Sequence, residues 1–183
     1  DVGVEDHALI AALRTGDRDA FAVLIDRETA MVYRTCLRIL GRVEDAEDVT
    51  QETIVAAFRS LTTIRGEGSA RGWLMRIAQR QAFRRLSQRR PTAALAELDE
   101  ARLADSTTEP GRAVVAAEAR DEVRRAVADL PEPYRETVSL RFFADLSLAE
   151  VAEATGRPLA TVKTHLRRGL ERLRPMMRVG GDR

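Results

Sequence analysis

Cysteine is nearly missing from this chain. Cys36 stands alone among 183 residues, so no disulfide can close within it, and a reduced, cytoplasmic setting is expected. Aromatics are only 4% of a composition that is 44% hydrophobic, so the core must be built from Leu, Val, Ile and Ala. Histidine occurs twice, as His7 and His165. Neither has a ligand partner at helical spacing, so no metal site is expected. No apolar run approaches the roughly 18 residues needed to cross a bilayer. The opening DVGVEDHALIAAL has no basic flank or long apolar core, so no signal peptide, no membrane insertion and a mobile N-terminal segment are expected. Paired carboxylates in a pocket, a nucleophile–base set and a phosphate-cradling glycine loop are also wanting. An enzyme, a cofactor and a small-molecule substrate are therefore not expected. Lysine appears once, Lys163, among 30 basic residues, which a GC-rich genome explains as well as any chemistry.

What is present is charge, and it is segregated. The net charge of +1 hides four blocks. Residues 44–52 hold five acids and no base, and 66–90 hold seven Arg against one acid. Residues 97–109 hold five acids and one Arg, and 157–178 hold seven Lys/Arg against Glu171 alone. Separation of this kind costs self-repulsion and suits partners of opposite sign.

The hydrophobic spacing is helical almost throughout, and no strand alternation survives. Asp19 is expected to cap a helix with Phe21, Leu24 and Ile25. A second should run from about Thr29 to Leu40 and stop at Gly41, and a third from about Val43 to Leu61, with Ala46, Val49, Thr53, Ala57 and Leu61 on its apolar face. After the glycine-rich RGEGSARG, a fourth is expected over about 70–89, anchored by Trp73, Ile77 and Leu86. The acidic stretch closed by Pro110 and Gly111 reads as a linker, with a short helix near 95–103. Beyond it a stripe of Ala119, Val123, Ala126, Val127 and Leu130 ends at Pro131. The expected fold is all-α: two small helical domains, 1–90 and 118–178, joined by a flexible acidic linker over 91–117.

SLAEVAEATGRPLATVKTHL has the grammar of a helix-turn-helix. Ser147 and Glu150 match a capping box, Gly156 suits a left-handed turn, and Pro158 suits the first position of the next helix. Leu159, Val162 and Leu166 should face inward. That leaves Thr161, Lys163, Thr164, His165, Arg167 and Arg168 outside, with short hydroxyls to approach base edges and cations to hold phosphates. A solvated basic face is the plain alternative; the cap and turn residues favour DNA.

In VEDAEDVTQETIVAAF, Asp45, Asp48 and Glu52 fall at i, i+3 and i+7, flanked by Glu44 and Gln51. Acids in a first turn suit the helix dipole. The series runs past one turn, where like charges repel, so a basic partner is the sharper reading. In GWLMRIAQRQAFRRLSQRR, Arg76, Arg80 and Arg84 form a row extended by Arg85, Arg89 and Arg90, and charge with aromatics suits single-stranded nucleic acid. Phe83 is expected in the core; Trp73 is open between core and nucleic acid.

DAEDVTQETIVAAF, GWLMRIAQRQAFRRL and LPEPYRETVSLRFFADLSLAEVAEATGRPLATVKTHLRRGLERLR, in this order and spacing, resemble the bacterial extracytoplasmic-function sigma factors of the sigma-70 family, over roughly residues 17–90 and 118–174. The resemblance implies an RNA polymerase subunit that recognises promoters. Asp45, Asp48, Gln51 and Glu52 would dock on the clamp coiled coil of the largest core subunit. Trp73, Arg76, Ile77 and Arg80 would melt and capture −10 bases, with Arg84, Arg85, Arg89 and Arg90 on phosphates. Thr161, Lys163, Thr164, His165, Arg167 and Arg168 would read the −35 element. The linker would thread the polymerase cleft, and an anti-sigma factor would hold the protein inactive. The chain departs from the commoner pattern at Arg80, where Asn is frequent, at Arg84, where an acid is, and at His165, where Arg is. TVKTH also occurs in LuxR-type regulators, so the alternative is a stand-alone helix-turn-helix regulator. Residues 17–90 count against it, because they lack a receiver domain's strands.

Overall fold

Asp17, rather than Asp19, starts the long helix of the first half. Its side chain accepts from the N–H groups of Asp19 and Ala20 at 2.9 and 3.1 Å, satisfying donors that a helix start leaves open. From there one helix, α2, runs Arg18–Leu40 and ends where Gly41 takes φ 74°. The two helices expected here are fused. The Thr29 hydroxyl donates to Ile25 O at 2.5 Å within a continuous ladder, so a residue read as a boundary is only a back-bonded position. The N-terminal stretch is ordered too, as helix α1 (Val2–Arg14), with Ile10 and Leu13 buried. Asp6 pins it by pairing with Arg27 at 3.1 Å.

A computed structural model describes residues 2–64, 69–88 and 110–178, with side chains over 6–64, 69–88 and 115–177. Among the described residues every regular element is helical. The expected linker helix near 95–103, Arg89 and Arg90, and the centre of the glycine-rich stretch lie outside them.

Helix α3 (Val43–Arg59) buries Ala46, Val49, Thr53 and Ala57 as the spacing predicts, and Leu61 continues the face from a 3₁₀ turn, Leu61–Thr63. Helix α4 (Ala70–Gln88) departs from expectation. Leu74, Met75, Ala78, Ala82 and Phe83 are buried, while Trp73, Ile77 and Leu86 are only half-buried beside them. The reason is tertiary. α4 lies against α2 and α3 on one side and against the second half of the chain on the other, so two faces are covered and no single stripe dominates.

The second half begins earlier than the sequence suggests. Pro110 and Gly111, read as the close of a linker extending to residue 117, form the first turn of α5 (Pro110–Ala128). Proline fits there because a first-turn N–H has no intrahelical partner. Ala119, expected in the buried stripe, is exposed. α6 (Tyr134–Phe142), α7 (Leu148–Thr155) and α8 (Leu159–Arg178) complete the fold.

The helix-turn-helix is built as its sequence predicts. Ser147 Oγ accepts from Glu150 N at 3.2 Å, and the Glu150 carboxylate accepts from Ser147 N at 2.7 Å. Gly156 takes φ 66°. Two details differ. Pro158 stands just before the helix, its carbonyl accepting from Thr161 and Val162. Leu159, expected inside, is 41% exposed; Val162 is fully buried and Leu166 packs on the core. At Gly169, α8 crosses α6 so closely that a Cβ would lie 2.8 Å from Val138 Cγ2.

Candidate functional site

The acidic residues of α3 face a basic side chain of their own chain. Arg85, on α4, reaches Asp45 at 3.2 Å, Asp48 at 3.6 Å and Glu52 at 2.5 Å. One guanidinium thus gathers three carboxylates that would otherwise repel along one helix face. Arg42 adds a longer contact to Asp45 at 3.8 Å. The internal pairing does not consume the surface. The Asp48 and Glu52 side chains remain 67% and 49% exposed, and Gln51 is exposed between them. Asp45, at 18%, is more foundation than contact.

The basic residues of α4 divide into two groups. Arg84 and Arg85 turn towards α3, where with Glu52, Gln81 and Gln88 they line a polar cleft of about 270 Å³. Arg76 and Arg80 point the other way, to Glu136 of α6. Glu136 Oε1 accepts from Arg76 Nε at 2.6 Å and from Arg80 Nη2 at 3.2 Å; its Oε2 accepts from Arg157 Nη1 at 2.8 Å. Glu136 is 3% exposed. Burial pushes its carboxyl pKa up, but hydrogen bonds and charge from Arg76 and Arg157 outweigh that and hold it below the usual range. Trp73 and Ile77 are half-buried on the core, and Phe83 is buried with the Arg135 guanidinium 5.6 Å from its ring centroid. So the six α4 residues expected to act together do not share one open face.

On α8 the outer side is open. Lys163, Arg167 and Arg168 are exposed; Thr161, Thr164 and His165 are half-buried beside them. Thr164 donates to Ala160 O at 3.0 Å, and Arg167 is held by Glu171 at 2.8 Å. His165 stands edge-on to Tyr134, ring centroids 5.7 Å apart, while Arg172 lies 5.0 Å over the Tyr134 ring. Burial, then the charges of Arg157 and Arg168, lower the His165 pKa, so the half-buried imidazole, its Nδ1 buried without a hydrogen-bond partner among the described residues, is neutral at pH 7. Arg167 and Arg168 are therefore the cations this face presents alongside Lys163.

Residues 24–92 match the family Sigma-70 region 2, and residues 120–173 match Sigma-70, region 4. The chain is 33% identical over 179 residues to the ECF RNA polymerase sigma factor SigW of Bacillus subtilis strain 168, covering 92% of this chain and 95% of that one. This protein belongs to the sigma-70 family, among its extracytoplasmic-function sigma factors. It is also 31% identical to the RNA polymerase sigma-H factor of Pseudomonas aeruginosa, over 95% of this chain and 96% of that one. The fold matches that of CnrH, solved in complex with the cytosolic domain of CnrY, with a TM-score of 0.60 and 21% identity over 97% of this chain and 99% of that one. A sigma factor is the subunit that directs RNA polymerase to promoters, and a family of initiation factors replaces the alternative of a LuxR-type regulator. Among the described residues, no helix is long and apolar enough to cross a membrane.

Two residues of consequence escaped the sequence reading: Glu136 and Arg157. The available signal was α6 itself. Five successive residues, Glu136 to Leu140, are buried, as happens to a helix covered on more than one side. Its sequence, YRETVSLRF, correspondingly shows no apolar stripe. Gly72 was also passed over; a Cβ there would sit 2.9 Å from Ala154 Cβ of α7, the mark of a close helix crossing between the two halves.

Proposed function

We propose that this sigma factor docks on core RNA polymerase through Asp48, Gln51 and Glu52, with Asp45 beneath them and Arg85 organising the group. Region 2 contacts the −10 element through Trp73, Arg76, Ile77 and Arg80, with Arg84 at its edge. The α8 face of Thr161, Lys163, Thr164, His165, Arg167 and Arg168 contacts the −35 element. The chain works in the cytoplasm as an initiation factor with no catalysis of its own, under an anti-sigma factor. The observation that carries this reading is the arrangement of opposite charge. Carboxylates stay exposed on α3 despite Arg85, and cations stay exposed on the outer side of a capped helix-turn-helix.

The docking surface is tested by replacing Asp48, Gln51 and Glu52 together with Ala. All three are exposed, so the fold should survive, as circular dichroism will report. Affinity for core polymerase should fall by at least about tenfold. Retention of tight core binding by the folded triple variant would remove the assignment.

A further inference from the structure

The two groups on α4 differ in one respect that matters for a DNA-binding protein. Arg76, which stands for nucleic acid in the function proposed above, is occupied by a carboxylate of region 4; Arg80 shares that carboxylate at 3.2 Å with 60% of its side chain exposed. Around Glu136 the seam is closely built. Arg76 also donates to Ala154 O at 3.3 Å, and Ser139 Oγ donates to Gln79 Oε1 at 3.1 Å. Gly72 lets α7 approach to a distance no side chain would allow.

We propose that Glu136 is an internal stand-in for a DNA phosphate: it seats α6 and α7 of region 4 on α4 and closes region 2 against nucleic acid until the two halves part. This inference rests on the assignment of Arg76 and Arg80 to promoter DNA. A buried carboxylate requires charged hydrogen-bond donors around it, and three guanidiniums supply them. Two of the three, Arg76 and Arg80, belong to region 2; Arg157 belongs to region 4. When the halves separate, Glu136 keeps Arg157 and gains water, so its charge is never orphaned. Arg76 and Arg80 are then free for a polyanion. An anion competes directly for the same donors, because guanidinium recognises carboxylate and phosphate with the same fork of N–H groups. Closure lowers the apparent affinity of the free protein for DNA by the fraction of molecules that are open.

Two substitutions open the seam by unrelated means. Glu136→Gln removes the charge and keeps the shape. Gly72→Leu leaves every charge in place and wedges α4 from α7; leucine is also a better helix former than glycine, and the atoms nearest position 72 across the seam belong to Ala154 and Glu150. Dyes placed at Val23→Cys on α2 and Met177→Cys on α8, both exposed, report separation by energy transfer in the full chain. Binding of a 20-nucleotide mixed-sequence single-stranded DNA is measured in parallel, without polymerase. Both variants should lower the transfer efficiency and bind the strand at least about fivefold tighter than the parent. Opening without tighter binding would uphold the closure by Glu136 and overturn the DNA role of Arg76 and Arg80. Unchanged energy transfer in both variants, folded by circular dichroism, would overturn the proposal.

Discussion

At the scale of single residues, burial decides what each reactive group can do. Cys36 is fully buried, and that burial, only partly offset by a hydrogen bond with Thr50, pushes its thiol up to about 12. Since the thiolate is the reactive form, iodoacetamide at pH 8 should leave the native protein unlabelled and modify it only in denaturant, as mass spectrometry will show. Arg85 illustrates the opposite situation, a charge kept useful by its neighbours. Arg85→Ala would leave Asp45, Asp48 and Glu52 facing one another. We expect a loss of about 1 kcal/mol in stability, read from the urea midpoint, because three partly exposed pairs are each worth little. The acid series on α3 was legible as a charge pattern wanting a basic partner. That Arg85 of the same chain supplies part of the answer was not legible, because it lies 33 residues beyond Glu52, and charge patterning along a helix says nothing about the helix packed beside it.

At the scale of elements, end signals were readable and faces were less so. The reciprocal bonds of Ser147 and Glu150 and the left-handed Gly156 follow from local chemistry alone, so the helix-turn-helix could be drawn from sequence. Ser147→Ala should cost about 1 kcal/mol in thermal or urea unfolding. Gly169 is set by an interhelical distance that local chemistry does not encode. Gly169→Val should cost about 1–3 kcal/mol by overpacking against Val138, more than its helix propensity would suggest. On the outer side of α8, Arg168 has no ion pair among the described residues, whereas Arg167 must leave Glu171 to reach a phosphate. Arg168→Ala should therefore weaken −35 DNA binding by the polymerase holoenzyme more than Arg167→Ala does, with the salt slope falling by about one per lost phosphate contact. α4 has no single legible stripe for a physical reason: a helix covered on two sides buries residues at more than one helical register, leaving only a narrow strip such as Arg80 and Arg84 exposed.

At the scale of the whole molecule, the two halves meet through buried charge, and this ties domain arrangement to pH. The Glu136 carboxyl lies below its ordinary value of 4.5, so its charged form is favoured by closure. The contribution to closure is complete above the ordinary value and is lost as pH falls through the folded one. The facing groups are Arg76 and Arg80 on α4, Arg157 before α8, and Glu132, whose carboxylate accepts from Glu136 N at 3.3 Å. Energy transfer between the labelled halves should be flat from about pH 6 to 8 and fall only in acid, below the ordinary glutamate range. Two helical domains and their family were visible in the sequence. Their closure was not, since no local pattern states which surface of one domain a carboxylate of the other will find.

The attachment of α6 at both its ends has a mechanical consequence. Near the start of α6, Glu136 grips α4. Just past its end, Arg38 of α2 donates to Phe143 O at 3.0 Å and pairs with Asp145 at 2.5 Å. Those anchor points are seven residues apart, about 10 Å along a helix. A rod fastened twice cannot swivel; fastened once, it turns about the remaining bolt. Cutting the Glu136 anchor alone should swing region 4 about the Arg38 contact far enough to uncover Arg76, and cutting both should widen the gap further.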